Sequence, residues 1–277
     1  MTLVVVGASG YLGGEVCRRA LAAGRPVVGT YHRAPGTVEG VRWERLDVRD
    51  AAAVRELVRG AAPAAVVNCA YRYDGWDATA DGAAHVALAA AEAGARLVHL
   101  SSDALHGGRP EPYGDDEAPT PIFPYGAAKA AAETAVRLVH PAAAIVRTSL
   151  IIGDRRAKQV RLCLDVLAGT PGLALFSDEV RCPVSVHDVA AAVLELVAGD
   201  YAGTLNVAGP EAVSRVELGR LVARRYGLDP VRLRATTIAE SGHVRPAEVR
   251  LDSARAAGLL RTPLRPIAEA LATRPSI

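Results

Sequence analysis

Short apolar runs alternate with alanine-rich segments through the first half of the chain, and this alternation constrains the fold more than any other feature. Six runs have the length and β-branched content of buried strands: 3–6, 27–30, 41–46, 65–69, 97–101 and 143–147. Helices are predicted between them, at 13–23, 51–59, 79–93 and 124–139. Continuous apolar strands separated by helices indicate an α/β fold with a doubly wound parallel sheet, covered on both faces.

A glycine-rich turn, Gly7-Ala8-Ser9-Gly10-Tyr11-Leu12-Gly13, follows the first strand and opens a helix. Glycines allow a tight turn and a close approach of pyrophosphate to the backbone, while the helix N-terminus offers unpaired N–H groups. Because this turn stands between a clear strand and a clear helix, it predicts dinucleotide binding in a Rossmann-type domain. The candidate cofactor contacts of the turn are Gly7, Ser9, Gly10, Tyr11, Leu12 and Gly13.

The second strand ends without the carboxylate that would accept the ribose hydroxyls of NAD. Tyr31, His32 and Arg33 stand there instead, and Arg33, with or without His32, can face a 2′-phosphate. This favours NADPH, although NADH stays an alternative because Arg33 can equally be a solvated side chain. Further cofactor contacts are expected where later strands end, at Asp47, Val48, Cys69, Ala70 and Tyr71.

A tyrosine and a lysine stand four residues apart at a predicted helix start, in Pro124-Tyr125-Gly126-Ala127-Ala128-Lys129. Their side chains share one helix face, so the ammonium is expected to lower the pKa of the phenol. Such a tyrosine can protonate a carbonyl oxygen as hydride reaches the carbon, and Lys129 can also hold the nicotinamide ribose. The chain has only two lysines, which leaves little room for a chance pairing. The other, Lys158, lies in a charged stretch and is interpreted as a surface residue.

Ser102 ends the fifth strand, at the carboxyl edge where open α/β sheets bind ligands. Its hydroxyl can orient a substrate carbonyl toward Tyr125. Asp103 follows directly and His106 stands three residues after it, and both are candidate substrate contacts. Together, Ser102, Tyr125 and Lys129 predict an oxidoreductase that reduces a ketone with a nicotinamide cofactor.

The pattern changes near Gly153, where helices predicted at 157–168, 189–198, 215–226 and 267–272 are joined by Pro/Gly-rich connections. We expect a dinucleotide-binding domain over residues 1–152. Residues 153–277 are expected to form a small α-rich lobe that mainly binds substrate, with some segments returning to the first domain.

Charge and composition exclude several classes of partner. The formal net charge is +2, which gives no electrostatic reason to expect binding to nucleic acid or to an anionic membrane. No apolar segment reaches the roughly 18 residues of a membrane span. The four cysteines are scattered without metal-ligand spacing, which predicts no metal site and a reducing, cytoplasmic location. A homodimer is left open.

The glycine turn, the strand end Ser101-Ser102-Asp103 and the Y-x-x-x-K pair together resemble the extended short-chain dehydrogenase/reductases. Within them the likeness is to the dTDP-4-dehydrorhamnose reductases and related sugar-nucleotide-binding proteins. Two later segments are similar to motifs of the same proteins, Arg147-Thr148-Ser149 and Arg245-Pro246-Ala247 with Leu251-Asp252. The resemblance implies NADPH-dependent reduction of a 4-keto nucleotide sugar or a related small ketone, with Ser102, Tyr125 and Lys129 as catalytic residues.

The chain departs from these proteins mainly where substrate is expected. Residues that are aromatic or asparagine in them are replaced here by Thr79, Ala104, Leu105, His106, Leu150 and Glu248. These differences leave hydride transfer in place and put a rhamnose-type substrate in question.

Two further sets of side chains are candidates for substrate binding. Arg181 and Arg245 can meet a nucleotide diphosphate, or can be ordinary ion-paired arginines. Tyr71, Tyr73 and Trp76 form an aromatic patch after the fourth strand, which can stack on a base or sugar or be a local packing cluster.

Two other functions stay open. A nucleotide-sugar epimerase or dehydratase would hold NAD tightly and recycle it, and the missing acid after the second strand argues against it. A non-catalytic cofactor-binding module, resembling the regulatory subunit of methionine adenosyltransferase, would bind a synthetase. The substituted substrate positions argue for this second alternative.

Overall fold

Strands alternate with helices from the N-terminus to residue 148, except that β3 follows β2 directly, in the computed structural model, which describes residues 1–272. The elements are β1 (Leu3–Val6), α1 (Tyr11–Ala22), β2 (Val27–Tyr31), β3 (Arg42–Arg45), α2 (Ala51–Ala61), β4 (Ala65–Asn68), α3 (Gly82–Glu92), β5 (Arg96–Ser102), α4 (Pro124–Val139) and β6 (Ala144–Thr148). A π-helical turn, Asp77–Asp81, precedes α3, so the helix predicted at 79–93 starts in a different conformation. A 3₁₀ turn, Asp103–Leu105, follows β5.

Shorter elements make up the second half. They are β7 (Ile151–Ile152), α5 (Lys158–Leu167), β8 (Leu175–Phe176), β9 (Val180–Arg181), β10 (Val184–Ser185), α6 (Val186–Ala198), β11 (Gly203–Val207), β12 (Val213–Ser214), α7 (Arg215–Tyr226), β13 (Ala235–Thr236), α8 (Ile238–Ser241), α9 (Ala254–Leu259) and α10 (Ile267–Ala272). A further 3₁₀ turn lies at Pro230–Arg232. Residues 273–277, which end the predicted 153–277 lobe, lie outside the described residues.

Seven parallel strands form the central sheet in the spatial order β11-β6-β5-β4-β1-β2-β3. The strand order reverses between β1 and β4, as expected of the predicted doubly wound fold, which is confirmed. Carboxyl ends of strands on either side of such a reversal border a crevice, and ligands bind there in open α/β sheets.

Helices cover both faces of this sheet because its strands are apolar on both sides. Leu3 and Val5 of β1 pack into one core with α1 and α6, while Val4 and Val6 pack into a second core with α2, α3 and α4. The side chains of all four residues are at most 1% exposed. This two-sided burial is the reason that the strands read as continuous apolar runs.

Two elements of the second half belong to the sheet. Helix α6, which was predicted at 189–198 as part of the lobe, packs against α1, and β11 pairs with β6 as a seventh strand that was not predicted. A long-range contact holds α6 there, since His187 Nδ1 lies 2.7 Å from the buried Glu15 Oε1 of α1.

The rest of the second half packs around a third core. α5, α7 and α10 supply most of its apolar side chains, including Val160, Val222 and Ile267. This lobe contacts the glycine-rich turn directly, because the Asp154 backbone N–H donates to Tyr11 Oη at 3.0 Å. No helix within residues 1–272 is both long and apolar enough to cross a membrane.

Candidate active site

The glycine-rich turn leaves the end of β1 in a shape suited to phosphate. Gly7 has a φ of +78°, and a Cβ there would lie 2.9 Å from Ala70 Cα. Its N–H donates to Thr30 Oγ1 at 3.0 Å, which ties the turn to β2. Gly10 precedes α1 without any side-chain cap, and the first turn of α1 has no acidic residue. The helix N-terminus is therefore open to an anion.

A cavity of about 360 Å³ begins at this turn and runs along the carboxyl ends of β1 to β4. Eleven predicted cofactor contacts line it: Gly7, Ser9, Gly10, Tyr31, His32, Arg33, Asp47, Val48, Cys69, Ala70 and Tyr71. Its size and position fit the adenosine and pyrophosphate portion of a dinucleotide.

Three residues of the turn predicted to contact cofactor lie outside the lining of this cavity. Leu12 and Gly13 are buried, and a Cβ on Gly13 would overlap the Gly7 carbonyl oxygen, so Gly13 serves the packing of α1 on β1. Tyr11 points toward the lobe and accepts the hydrogen bond from Asp154.

The far end of the cavity is rich in arginine. Arg33 is exposed and has no ion-pair partner within residues 1–272, which leaves its guanidinium available. Arg49, which sequence analysis missed, grips the Asp47 carboxylate with Nε–Oδ1 and Nη2–Oδ2 distances of 3.0 and 2.6 Å. These hydrogen bonds hold the pKa of Asp47 well below its ordinary range. Arg49 directly follows the predicted cofactor contacts Asp47 and Val48, and this position in the sequence could have identified it as a residue of the cavity.

The start of α4 brings Tyr125 to Ser102. Gly126 makes this possible, since a Cβ at that position would overlap the carbonyl oxygen of Ala104 in the 3₁₀ turn. The Ser102 side chain lies close enough to Tyr125 to act on the pKa of its phenol. Ser102 Oγ accepts from the Ala104 N–H at 3.2 Å, so its position is fixed by the turn that follows β5.

Lys129 lies one turn further along α4 and is 3% exposed. Its Nζ donates to the Leu100 carbonyl oxygen of β5 at 2.8 Å. Burial lowers the pKa of Lys129 to about 8. The expectation that Lys129 lowers the pKa of Tyr125 is wrong for this conformation, because burial, with the nearby Tyr71, raises the Tyr125 pKa instead.

A buried ion pair anchors α4 beneath these groups. Glu133 follows Tyr125 and Lys129 at the same four-residue spacing, and its carboxylate receives Arg147 Nε and Nη2 at 3.0 and 2.9 Å. Ser101 Oγ donates to the same carboxylate at 2.6 Å. Both charged side chains are 1% exposed, so the pair fixes α4 against β5 and β6.

Two predicted substrate contacts, Asp103 and His106, point into the protein. Asp103 is 5% exposed and its Oδ2 accepts from Ser149 Oγ at 2.7 Å; burial raises its pKa. His106 is fully buried and stacks on Tyr113 with 3.9 Å between ring centroids, and burial lowers its pKa to about 3. In this conformation neither side chain reaches a substrate without rearrangement.

The two predicted arginines differ from each other. Arg181 is 4% exposed, and its Nη1 and Nη2 donate to the carbonyls of Val180 and Pro246, each at 2.7 Å. Arg245 Nη1 lies 3.2 Å from Glu179 Oε2 while 30% of its side chain stays exposed. Both arginines are ion-paired, since Arg181 also lies 3.7 Å from the carboxylates of Asp103 and Glu179, but only Arg245 keeps an exposed part that can reach a ligand.

The aromatic patch lies beside Tyr125. Tyr73 and Tyr71 have ring centroids 4.7 and 5.8 Å from that of Tyr125, while Trp76 has no ring contact with it within the described chain. Thr79, one of the substituted positions, is buried and holds the loop that carries these rings. No cluster of His, Cys, Asp or Glu within residues 1–272 is arranged to hold a metal ion.

Known proteins match this chain over almost its full length. The RmlD substrate binding domain family matches residues 1–274. dTDP-4-dehydrorhamnose reductase of Mycobacterium tuberculosis is 32% identical over 294 residues, covering 98% of this chain and 91% of the relative. Methionine adenosyltransferase 2 subunit beta of Xenopus tropicalis is 28% identical, covering 91% and 80%.

A solved structure supports the fold. dTDP-4-dehydrorhamnose reductase from Bacillus anthracis, in complex with NADP, is similar with a TM-score of 0.81 at 23% identity, covering 97% of this chain and 96% of that one. The resemblance inferred from the motifs is confirmed by these matches. The chain belongs to the RmlD substrate binding domain family.

Proposed function

We propose that this protein is an NADPH-dependent reductase of a 4-keto nucleotide sugar. The observation that carries the proposal is the placement of Tyr125 beside Ser102, one helical turn from Lys129 and near the dinucleotide-sized cavity. The similarity of this chain to a dTDP-4-dehydrorhamnose reductase supports a nucleotide sugar as the substrate.

Each catalytic side chain has a separate task in this proposal. Bound NADPH supplies the hydride that reduces the carbonyl carbon. Tyr125 Oη gives its proton to the carbonyl oxygen, and Ser102 Oγ donates a hydrogen bond that orients the same oxygen. Lys129 stays largely protonated at neutral pH because its pKa is about 8, so its ammonium is available to hold the nicotinamide ribose.

The cofactor preference rests on the arginines at the far end of the cavity. Arg33 faces the 2′-phosphate of NADPH, while Arg49 keeps Asp47 ionised as an acceptor for the adenine amino group. An NAD-specific site would present a carboxylate at the end of β2, where this chain has Tyr31 and His32.

The test is NADPH oxidation by the purified protein with dTDP-4-dehydrorhamnose and a panel of other 4-keto nucleotide sugars. We expect turnover that depends on both substrates. Tyr125→Phe is expected to reduce kcat at least about a hundredfold, because proton transfer contributes roughly this much. Full turnover by a folded Tyr125→Phe protein would exclude the assigned role.

Two outcomes would favour other functions. Stoichiometric NAD released on heat denaturation would point to an epimerase or dehydratase. The inward-facing Asp103 and His106 favour the second alternative, a regulatory subunit. Co-purification with a synthetase, together with no NADPH oxidation across the panel, would support that function.

The remaining expectations about partners are part of the same proposal. The lobe within 153–277 binds the phosphorylated part of the substrate, with Arg245 as one contact. A homodimer is tested by light scattering of the purified protein. The near-neutral charge supports an enzyme without nucleic-acid or membrane partners, and four free cysteines support a cytoplasmic location.

A further inference from the structure

The loop between β4 and the π-helical turn is held rigidly at one residue. The Arg72 N–H donates to Thr79 Oγ1 at 2.9 Å, and Thr79 Oγ1 donates back to the Arg72 carbonyl at 2.8 Å. Thr79 is 1% exposed, whereas Tyr71 and Tyr73, on either side of Arg72, are 53% and 46% exposed. Two exposed rings are thus fixed by a buried clamp.

Tyr73 connects the catalytic tyrosine to the lobe. Its ring stacks on Tyr125 with 4.7 Å between centroids and an interplanar angle of 28°. Lys158 Nζ, from the first residue of α5, lies 5.3 Å from the Tyr73 ring centroid. The other lysine of the chain, Lys129, has the same 5.3 Å distance to Tyr71.

The ammonium of Lys158 is available to bind an anion. It is exposed and has no carboxylate partner within residues 1–272, since the nearby Asp154 is paired with Arg156. Ala157, the residue before α5, provides no side-chain cap, and the first turn of α5 has no acidic residue. The ammonium and the helix N-terminus therefore both favour negative charge at this point. An exposed cation–π contact leaves N–H donors of the ammonium free to bind a phosphate while the ring still holds it.

We propose that Lys158 is a substrate-binding residue that pairs with a phosphate of the nucleotide sugar, and that Tyr73 positions it beside Tyr125. The inference rests on the proposed function and adds a contact to it. Lys158 recognises the anionic part of the substrate, while Tyr73 fixes the distance between that part and the reacting carbonyl.

The first test measures binding of dTDP by calorimetry to the wild type, Lys158→Ala and Arg155→Ala. Arg155 is the matched control, since it is an exposed cation three residues away that packs on Tyr226 instead. We expect Lys158→Ala to bind dTDP about fivefold more weakly and Arg155→Ala to bind within about twofold of wild type. Equal affinities for wild type and Lys158→Ala, or no binding by the wild type, would overturn the proposal.

The second test separates the positioning role of Tyr73 from stability. Tyr73→Ala is expected to raise the KM of the nucleotide sugar about tenfold with kcat changed less than about threefold, and Tyr73→Phe should restore the wild-type KM because the ring is retained. The control is Trp76→Ala, which removes an equally exposed ring of the same loop. An unchanged KM in Tyr73→Ala, or an equal rise in Trp76→Ala, would refute the role.

The two proposals can fail separately. If the wild type oxidises NADPH with none of the keto sugars while Lys158→Ala still weakens dTDP binding, the reductase assignment fails and the Lys158 contact holds. If the wild type oxidises NADPH with a keto sugar but Lys158→Ala binds dTDP as tightly as the wild type, the reductase assignment holds and the Lys158 contact fails.

Discussion

Lys129 carries its charge into a nearly closed site, where the ammonium has one carbonyl partner. Desolvation of this charge costs stability, and the lysine is retained although an apolar residue would pack there without that cost. Conflict between local stability and residue choice is typical of functional sites. The burial of Lys129 is thus an argument for catalysis that is independent of the motif.

The same burial predicts a specific pH dependence of stability. Because the pKa of Lys129 falls from 10.5 to about 8 on folding, the unfolded chain binds more protons between these two pH values. The free energy of unfolding contributed by this residue should therefore rise by about 3 kcal/mol from pH 8 to pH 10.5. Urea denaturation of the wild type and Lys129→Met at several pH values measures it. The stability of the wild type relative to Lys129→Met should rise through this window, and a constant difference would contradict the argument.

The proposed cofactor preference is tested at one residue. Arg33→Ala removes the guanidinium proposed to bind the 2′-phosphate, so the free energy of NADPH binding should weaken by about 1.5–3 kcal/mol while the Kd of NADH stays unchanged. Fluorescence titration with each nucleotide gives both values. Arg45→Ala is the control, since this exposed arginine of β3 lies outside the cavity. Equal losses for both nucleotides would place the 2′-phosphate elsewhere.

At the scale of elements, α4 carries two of the proposed catalytic residues, Tyr125 and Lys129. Its start is set by the contact of Gly126 with Ala104, and its middle by the buried pair of Glu133 and Arg147. These two constraints act at separate points along the helix. They determine both the depth of α4 on the sheet and its rotation toward Ser102.

Replacing Gly126 should therefore misplace Tyr125. A Gly126→Ala side chain overlaps the Ala104 carbonyl, so α4 must shift, which we expect to cost about 1–3 kcal/mol of stability and about a hundredfold in kcat. Gly60→Ala in α2 is the matched control, because nothing lies within 4 Å of a Cβ there. That control should gain about 0.5–1 kcal/mol and keep its activity. Thermal unfolding measures the effect on stability, and steady-state kinetics measures the effect on kcat. A fully active Gly126→Ala would show that Tyr125 does not depend on the close approach of Gly126 to Ala104.

Elements with a strong local pattern could be predicted from the sequence. Helix 124–139 has a proline at its start and agrees with the structure at both ends, as do 215–226 and 267–272. β11 is only five residues long and contains a glycine, a threonine and an asparagine, so its local pattern is weak. The placement of α6 depends on a contact between residues 172 positions apart, which local periodicity does not encode.

The residues of the candidate site also differ in how far the sequence predicts them. Residues inside compact motifs, such as the glycine turn and Y-x-x-x-K, could be identified, and their position at the carboxyl edge of the sheet could be anticipated. The contact of Lys158 with Tyr73 was missed because it depends on how distant segments pack, whereas the contact of Arg49 with Asp47 is local and could have been anticipated. His106 was misjudged since exposure cannot be read from one position in a loop.

At the scale of the whole molecule, the chain crosses between sheet and lobe more than once. α6 and β11 complete the sheet after the chain has already entered the lobe at α5. Val189, Val193, Leu205 and Val207 from these returning elements are fully buried in the core beneath β1 and β6. The division at residue 152 therefore does not separate two independent folding units.

A chain shortened to residues 1–152 tests this directly. Without α6 and β11 it exposes the part of one sheet face that α6 covers and the edge of β6, so it should lack a cooperative thermal transition, whereas the full chain should unfold cooperatively. Circular dichroism during heating distinguishes the two. A sharp transition in the short chain would show that the first six strands form a complete unit.

The scarcity of lysine has a practical consequence for chemical work on this protein. Lys129 is enclosed, so amine-reactive reagents should modify Lys158 and the α-amino group of the chain. Coupling the protein to a surface through Lys158 would then attach it next to the candidate active site and block access to that site. A fluorophore attached to Lys158 would instead report, by a change in emission, on what enters beside Tyr73.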